Sequence, residues 1–195
     1  MLEDLLEIER NAFLWINGTH TLFLDVLLWP FAGVLIWCPL LFVSLYFVWK
    51  RKRDWILAVV SCVLTSVLCT VISNNVCKPV FARFRPTTHP SFMDAVTLVN
   101  DYTADGLYGF ISGHTTNAFG FAIISLLLVR NKMYTAFILL WAVLMAYSRI
   151  YFGAHFISDV IGGLIVGTSL AILVYLLYRY ISKRYLGINE KNSLI

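Results

Sequence analysis

The chain has 195 residues, of which 59% are hydrophobic and 13% charged, with a net charge of +4 and a mean hydropathy of +0.77. Soluble domains carry about 25% charged and about 45–50% apolar residues, and a chain this short cannot hide so much apolar surface from water by itself. Lipid must be its solvent, which excludes a soluble enzyme, a disordered tail and a nucleic-acid binder despite a pI near 8.9.

Residues 2–16 place Leu2, Leu5, Leu6, Ile8, Ala12, Phe13, Trp15 and Ile16 on one broad arc at about 100° per residue. Glu3, Asp4, Glu7, Arg10 and Asn11 cover the other side, and Glu9 alone violates the pattern. The pattern predicts an amphipathic helix, bounded at 2–18, lying on the outer membrane surface. The acidic start, Met1 to Arg10, does not read as a signal peptide. Asn17-Gly18-Thr19 turns the chain toward the first span; the triplet fits a glycosylation sequon, but such triplets are common by chance and this one is discounted.

A hydrocarbon core about 30 Å thick needs roughly 20 apolar residues at 1.5 Å rise each. Five stretches are predicted to cross it: Leu22 to Trp49, with Pro30 and Pro39 permitting kinks, then Trp55 to Ile72, Ser112 to Val129, Met133 to Tyr147, and Phe156 to Tyr178. Lys50, Arg51, Lys52, Arg53, Arg130, Lys132, Arg179, Lys183 and Arg184 make nine of the 15 basic residues, all on one face. The positive-inside rule makes that face cytoplasmic. The N-terminus and the segments 73–111 and 148–155 then face outward; Lys191 is left unassigned. Cys38, Cys62, Cys69 and Cys77 lie in or beside apolar runs without CxxC spacing and read as buried free thiols.

Lys78, Arg83, Arg85 and Arg149 break the topological trend of the cations. They fall in three segments at one membrane face: Lys78 to Pro86, Ile111 to Thr116, and Ser148 to Asp159. Lys78, Arg85 and Arg149 offer three positive charges, two of them planar forks suited to phosphate oxygens. Ser112, Gly113 and His114 open a span, where free backbone N–H groups and the helix dipole favour an anion, and Gly113 permits close approach. Nothing outside resembles a carboxylate cluster for Mg²⁺ or a His/Cys set for Zn²⁺, so no metal and no cofactor are expected. His155 and Asp159 are four apart, on one face if both lie on the fifth span. The carboxylate can fix the imidazole tautomer and leave the other nitrogen free to attack, while His114 supplies a proton to the leaving oxygen.

Lys-x6-Arg-Pro, Ser-Gly-His and Ser-Arg-x5-His-x3-Asp, taken together from Lys78 to Asp159, resemble the three-part signature of the type 2 phosphatidic acid phosphatase family. That superfamily also holds the soluble vanadium haloperoxidases and bacterial acid phosphatases. The resemblance implies an all-α integral membrane bundle and metal-independent hydrolysis through a phosphohistidine. His155 would be the nucleophile, Asp159 its orienting partner and His114 the acid and later the base. Lys78, Arg85, Ser112, Gly113 and Arg149 would be the phosphate ligands. Ile111 departs from the family, which usually has Pro before Ser-Gly-His, so a fixed φ at the helix entry is lost.

Other residues take plainer roles. His20 and His89 read as interface or cap residues, Asp25 as an interfacial cap, and the tryptophans as belt and packing. Gly162, Gly163 and Gly167 suit close helix packing. Arg83 is either a cation behind the site or a headgroup contact. The segment Thr87 to Phe110, with Asp94, Asp101 and Asp105, is expected to form a lid.

The expectation is one membrane-embedded lipid phosphatase domain over 1–195, in a bacterial inner membrane with its site facing the periplasm. Its partners are the bilayer and a lipid phosphate, not nucleic acid; undecaprenyl diphosphate is preferred over phosphatidylglycerol phosphate, phosphatidic acid and lipid A phosphate. Oligomeric state is not readable. The competing reading is a non-catalytic module that binds or moves anionic headgroups, which would need neither a nucleophile nor its carboxylate.

Overall fold

The computed structural model describes residues 2–33, 35–51, 54–100 and 102–185; Lys52, Arg53, Asp101 and Lys191 lie outside the described residues. The described chain is helical throughout, apart from loops and one isolated antiparallel bridge between Phe84 and Tyr108. Three helices are long and apolar enough to cross a membrane: Trp55–Phe81, Lys132–Tyr151 and Ile157–Tyr185, of 27, 20 and 29 residues. The other apolar stretches form shorter helices.

Helix α1 (Leu2–Asn17) forms as expected but divides its apolar arc in two. Leu5, Ile8 and Trp15 remain exposed, whereas Phe13 is fully buried against Phe92 and Phe156, with ring centroids 5.7 and 5.4 Å away. Asn17 is buried too, donating to Thr97 O (3.0 Å) and Tyr151 O (2.9 Å) and accepting from Thr97 N (2.8 Å). That occupancy bears on the sequon, since this amide is committed to the fold.

The expected first span is not one helix. α2 (Leu22–Leu28) ends in a 3-10 turn at Trp29–Ala32, and α3 (Trp37–Arg51) restarts beyond Gly33. Pro30 cannot donate to a continuing helix, and the irregular turn presents the Phe31 carbonyl to the buried Arg149 guanidinium, which donates to it. Such backbone is tolerated at membrane depth where protein covers it. Thr21, not Asp25, caps α2, its hydroxyl accepting from Leu24 N at 3.2 Å. Asp25 instead accepts from Tyr151 Oη and faces His20 Nδ1 at 3.4 Å. Cys38 is exposed rather than buried, while Cys69 is buried; all four thiols are free.

The second span runs longer than expected. α4 (Trp55–Val71) passes through a wider π-helical turn, Ile72–Cys77, into α5 (Lys78–Phe81). Pro79 has no N–H to continue the ladder, and it directly follows the wider π-helical turn in which the regular bonding pattern is already broken. Lys78 therefore stands on a helix rather than in the outer loop.

α6 (Gly113–Val129), α7 (Lys132–Tyr151) and α8 (Ile157–Tyr185) complete the bundle. Ser112 caps α6 and Asn131 caps α7, each accepting a backbone N–H from three residues on. α6 is the central helix, packed on α3, α4, α7 and α8. Its approach to α8 depends on small residues: a Cβ on Gly167 would lie 2.3 Å from Thr116 O, and one on Gly163 2.8 Å from Ser112 O. Backbone cannot yield as a flexible side chain can, so Gly167→Ala must force the helices apart. We expect it to destabilise by about 1–3 kcal/mol, read as a lower thermal midpoint in detergent, and to displace the start of α6 from Asp159. At the opposite end of the bundle buried Asp54 ties α4 to α8, accepting from Tyr178 Oη (3.0 Å) and Ser182 Oγ (2.7 Å).

Candidate active site

The end of α5, the start of α6, the end of α7 and the start of α8 meet at one end of the bundle. Lys78, Arg85, Gly113, His114, Arg149 and His155 line one cavity there, of about 1210 Å³. Ser112 and Asp159, both fully buried, stand directly behind that wall. All eight residues singled out in the sequence thus assemble in one place, although Lys78 and Asp159 lie 81 positions apart in the chain.

Arg85 is only 4% exposed and is fixed by three carbonyls: Gly106 (2.9 Å), Asp105 (2.9 Å) and Ala154 (3.0 Å). Its Nη1 also lies 3.0 Å from His155 Nε2. A guanidinium only donates, so Nε2 presents its lone pair and the imidazole proton sits on Nδ1. Nδ1 faces Asp159 Oδ2 at 3.5 Å, within ion-pair reach but longer than a hydrogen bond. Catalytic contacts of this kind are often long in the unliganded state and tighten around substrate.

His155 does not lie on α8, as the four-residue spacing suggests, but in the loop two residues before it. The pair still meets, because Asp159 folds back toward its own N-terminus and accepts from Phe156 N at 3.0 Å. Burial pushes His155 down to about 4; Arg85 and Arg149 push the same way, while Asp159 opposes them. At neutral pH the ring is therefore uncharged, with its Nε2 lone pair accepting from Arg85 at the cavity wall.

The remaining groups are tethered. Arg149, fully buried, donates to Ser148 Oγ (3.0 Å), Tyr102 Oη (3.3 Å) and Phe31 O. Lys78 Nζ donates to Asn74 Oδ1 at 2.5 Å, one turn back on the same helix. Gly113 sits against Ser73 and Asn74, where a Cβ would be 3.3 Å from both side-chain oxygens. Gly113 and His114 begin α6, so their N–H groups have no partner within the helix and lie on the cavity wall. Ser112 N donates to Asp159 O at 3.0 Å and its hydroxyl accepts from Thr115 Oγ1 at 3.0 Å, so Ser112 holds the start of α6 from behind the wall. Among the described residues, no group of three or more His, Cys, Asp or Glu could hold a metal ion.

Arg83 takes the first of its two expected places, a cation behind the site: it donates to Asp159 Oδ1 and Glu9 Oε2, both at 2.7 Å. Two features escape the sequence. Tyr102 and Asp105, from the expected lid, line the cavity and hold Arg149 and Arg85. Gly109 backs the His155–Asp159 gap; a Cβ there would meet Asp159 Oδ2 at 3.0 Å and His155 Nδ1 at 3.4 Å. Gly109→Ala must therefore widen that gap, and we expect kcat to fall about 100-fold with little change in KM, measured by steady-state phosphate release.

The cavity does not stop at the polar end. It continues along α4 from Val71 to Val59, facing Leu41, Leu45 and Val48 of α3. The twelve steps from Val59 to Val71, at 1.5 Å rise each, give about 18 Å of apolar groove, more than half the hydrocarbon thickness. A polar head at the cations and an apolar tail between α3 and α4 fit one lipid molecule.

This bundle, with its cations and paired histidines at one end, is the architecture of membrane phosphatases. A model of the PAP2 superfamily matches residues 55–183, and the chain belongs to that superfamily and is a phosphatase of it. It is 43% identical over 188 residues to a lipid A 4'-phosphatase of Porphyromonas gingivalis, covering 95% of this chain and 79% of that protein. It is 31% identical over 167 residues to an undecaprenyl-diphosphatase of Sulfolobus acidocaldarius, covering 85% and 72% respectively. The crystal structure of Aquifex aeolicus LpxE superposes with a TM-score of 0.67 at 28% identity, over 85% of this chain and 93% of that one.

Proposed function

We propose that the protein removes a phosphate monoester from a lipid A-type glycolipid, through a phosphohistidine on His155. The observation that carries the mechanism is the 3.0 Å contact from Arg85 to His155 Nε2, which supports a neutral ring whose Nε2 lone pair is released to phosphorus when the bound phosphate takes that Arg85 N–H. Lys78, Arg85, Arg149 and the N–H groups of Gly113 and His114 hold the phosphate oxygens, while Ser112 holds the start of α6 from behind. Nε2 attacks phosphorus, a P–N bond forms, and the P–O bond to the lipid breaks. The departing oxygen takes a proton from His114 and leaves as the lipid alcohol. Asp159 faces Nδ1–H and stabilises the cationic ring. Water then attacks phosphorus while His114 takes its proton; the P–N bond breaks, and phosphate and neutral His155 return.

The substrate proposal rests on the 43% identity to the lipid A 4'-phosphatase, which displaces undecaprenyl diphosphate as the preferred candidate. Orientation rests on the charges: Lys50, Lys132, Lys183 and Arg184 lie at helix ends away from the site, so the site faces the periplasm of an inner membrane. The experiment is phosphate release by the purified protein from a bis-phosphorylated lipid A, undecaprenyl diphosphate, phosphatidylglycerol phosphate and phosphatidic acid in matched micelles. Lipid A is expected to give at least about tenfold higher kcat/KM, about 1.4 kcal/mol of discrimination, with phosphate lost from the 4' position. A higher value for undecaprenyl diphosphate overturns the substrate; no release from any of the four favours a headgroup-binding module.

A further inference from the structure

We propose that Glu9 of the surface helix α1 is a positioning residue for the reaction, acting through Arg83 on Asp159, so that α1 is part of the catalytic machinery. The inference rests on the reading of His155 as nucleophile and Asp159 as its partner.

Glu9 is the one acidic residue on the apolar arc of α1, where a carboxylate has to be compensated to be tolerated. Its side chain is only 14% exposed and both of its oxygens are used. Oε2 accepts from Arg83 Nη2 at 2.7 Å, and Oε1 accepts from Ser158 N at 2.8 Å, in the first turn of α8. One carboxylate therefore holds both the cation that touches Asp159 and the helix end that carries Asp159.

Arg83 is clamped from several sides. Its Nη1 donates to Asp159 Oδ1 at 2.7 Å and to Ser158 Oγ at 2.5 Å, and its guanidinium carbon lies 4.7 Å from the centre of the Phe156 ring. Its own carbonyl accepts from Gly109 N at 2.8 Å, tying it to the glycine behind the His155–Asp159 gap. Asp159 itself is fully buried, and while His155 is neutral it has no charge partner in that ring. Arg83 fills that role. With Oδ1 held by Arg83 and the Phe156 N–H on Oδ2, the carboxylate plane is fixed and Oδ2 is aimed at Nδ1. An Asp159 free to rotate would give its charge to Arg83 alone and leave the phosphorylated ring unsupported.

The chain Glu9–Arg83–Asp159–His155 predicts an effect on chemistry rather than on substrate capture, since neither Glu9 nor Arg83 lines the substrate cavity. Full-length Glu9→Gln, Arg83→Lys, Arg83→Gln and Glu9→Gln/Arg83→Gln proteins are compared with His155→Ala in detergent, by steady-state phosphate release and by the rate of phosphoenzyme formation in a single turnover. The probe is the lipid phosphate giving the highest rate with the wild-type protein. Glu9→Gln is expected to lower kcat about tenfold and Arg83→Gln up to about 100-fold, as outer-shell partners commonly do, with KM within twofold. Arg83→Lys keeps the charge but loses the fork, so it should recover part of what Arg83→Gln loses. The double variant should be no slower than Arg83→Gln, because Glu9 acts through that residue. Circular dichroism and the thermal midpoint identify which variants are folded, and Arg83→Lys keeps the test open if Arg83→Gln is not. A rise in KM with kcat unchanged makes Arg83 a headgroup contact and overturns the proposal. So do losses that multiply in the double variant, or Glu9→Gln and Arg83→Lys proteins as fast as wild type while His155→Ala is dead. If His155→Ala itself retains activity, the underlying reading of the nucleophile fails instead.

Discussion

His155→Ala is expected to lower kcat by about 10⁴-fold or more while leaving the fold intact, because it removes the nitrogen that the proposed reaction uses to attack phosphorus beside three cations. His155→Gln tests the same point with nearly the same volume. The side chain is 2% exposed, so alanine leaves a void, whereas glutamine fills the space without a nucleophile. Trapped phosphoenzyme should be seen in the wild-type protein and in neither variant. The pH dependence has a definite sign. His155 must be neutral to attack, and its folded value lies near 4, below the ordinary 6.5. For this group kcat/KM stays level above pH 4 and falls tenfold per unit below it; an ordinary imidazole would start that fall near 6.5. Stability runs the same way: between 6.5 and 4 the unfolded chain takes up a proton that the folded ring refuses. This contribution is complete above 6.5 and is lost as pH falls. An acid limb near 6.5 in kcat/KM would mean that the free site holds His155 differently.

The candidate site was legible because its chemistry is carried by residue type and spacing. A basic residue on the outer face of a membrane protein is anomalous, and Lys78, Arg85 and Arg149 stood out for that reason. Their convergence required only that helix ends alternate faces, which span counting supplies. Less visible were features set by backbone geometry and tertiary partners. Pro30 and Gly33 lie in an apolar run that reads as one span, and the break becomes meaningful only once Arg149 is seen to need the Phe31 carbonyl. The helical continuation to Phe81 lies beyond the apolar run, which ends at Ile72 before the polar Ser73, Asn74 and Asn75. Gly109 has no motif, and only the nearness of Asp159 and His155 reveals why a side chain is excluded. Glu9 was visible as an error in an amphipathic pattern, but its partners are 74 and 149 positions away. A pattern violation shows where to look and not what will be found.

Arg85→Lys is the second large effect, expected to lower kcat/KM by about 10²–10³-fold although the charge is kept. The argument is one of donors. Arg85 spends its fork on Gly106 O, Asp105 O, Ala154 O and His155 Nε2 at once, from a site with 4% exposure. An ammonium has three donors at a single point and cannot reach carbonyls so far apart. At least one buried carbonyl is then left unpaired, at a cost of about 1–3 kcal/mol. Two of those carbonyls belong to the segment after Tyr102, so the wall that carries Tyr102 loosens and Arg149 loses a neighbour. The third is Ala154, next to His155, so the loop holding the nucleophile loosens with it. Without a donor at Nε2 the imidazole is also free to adopt the other tautomer, which points a proton at phosphorus. Both KM and kcat should therefore worsen, KM from the weakened cradle and kcat from the misheld ring. Steady-state kinetics on folded protein separates the two. A change confined to KM would reduce Arg85 to a phosphate contact, and its bond to His155 Nε2 would then have no part in the chemistry.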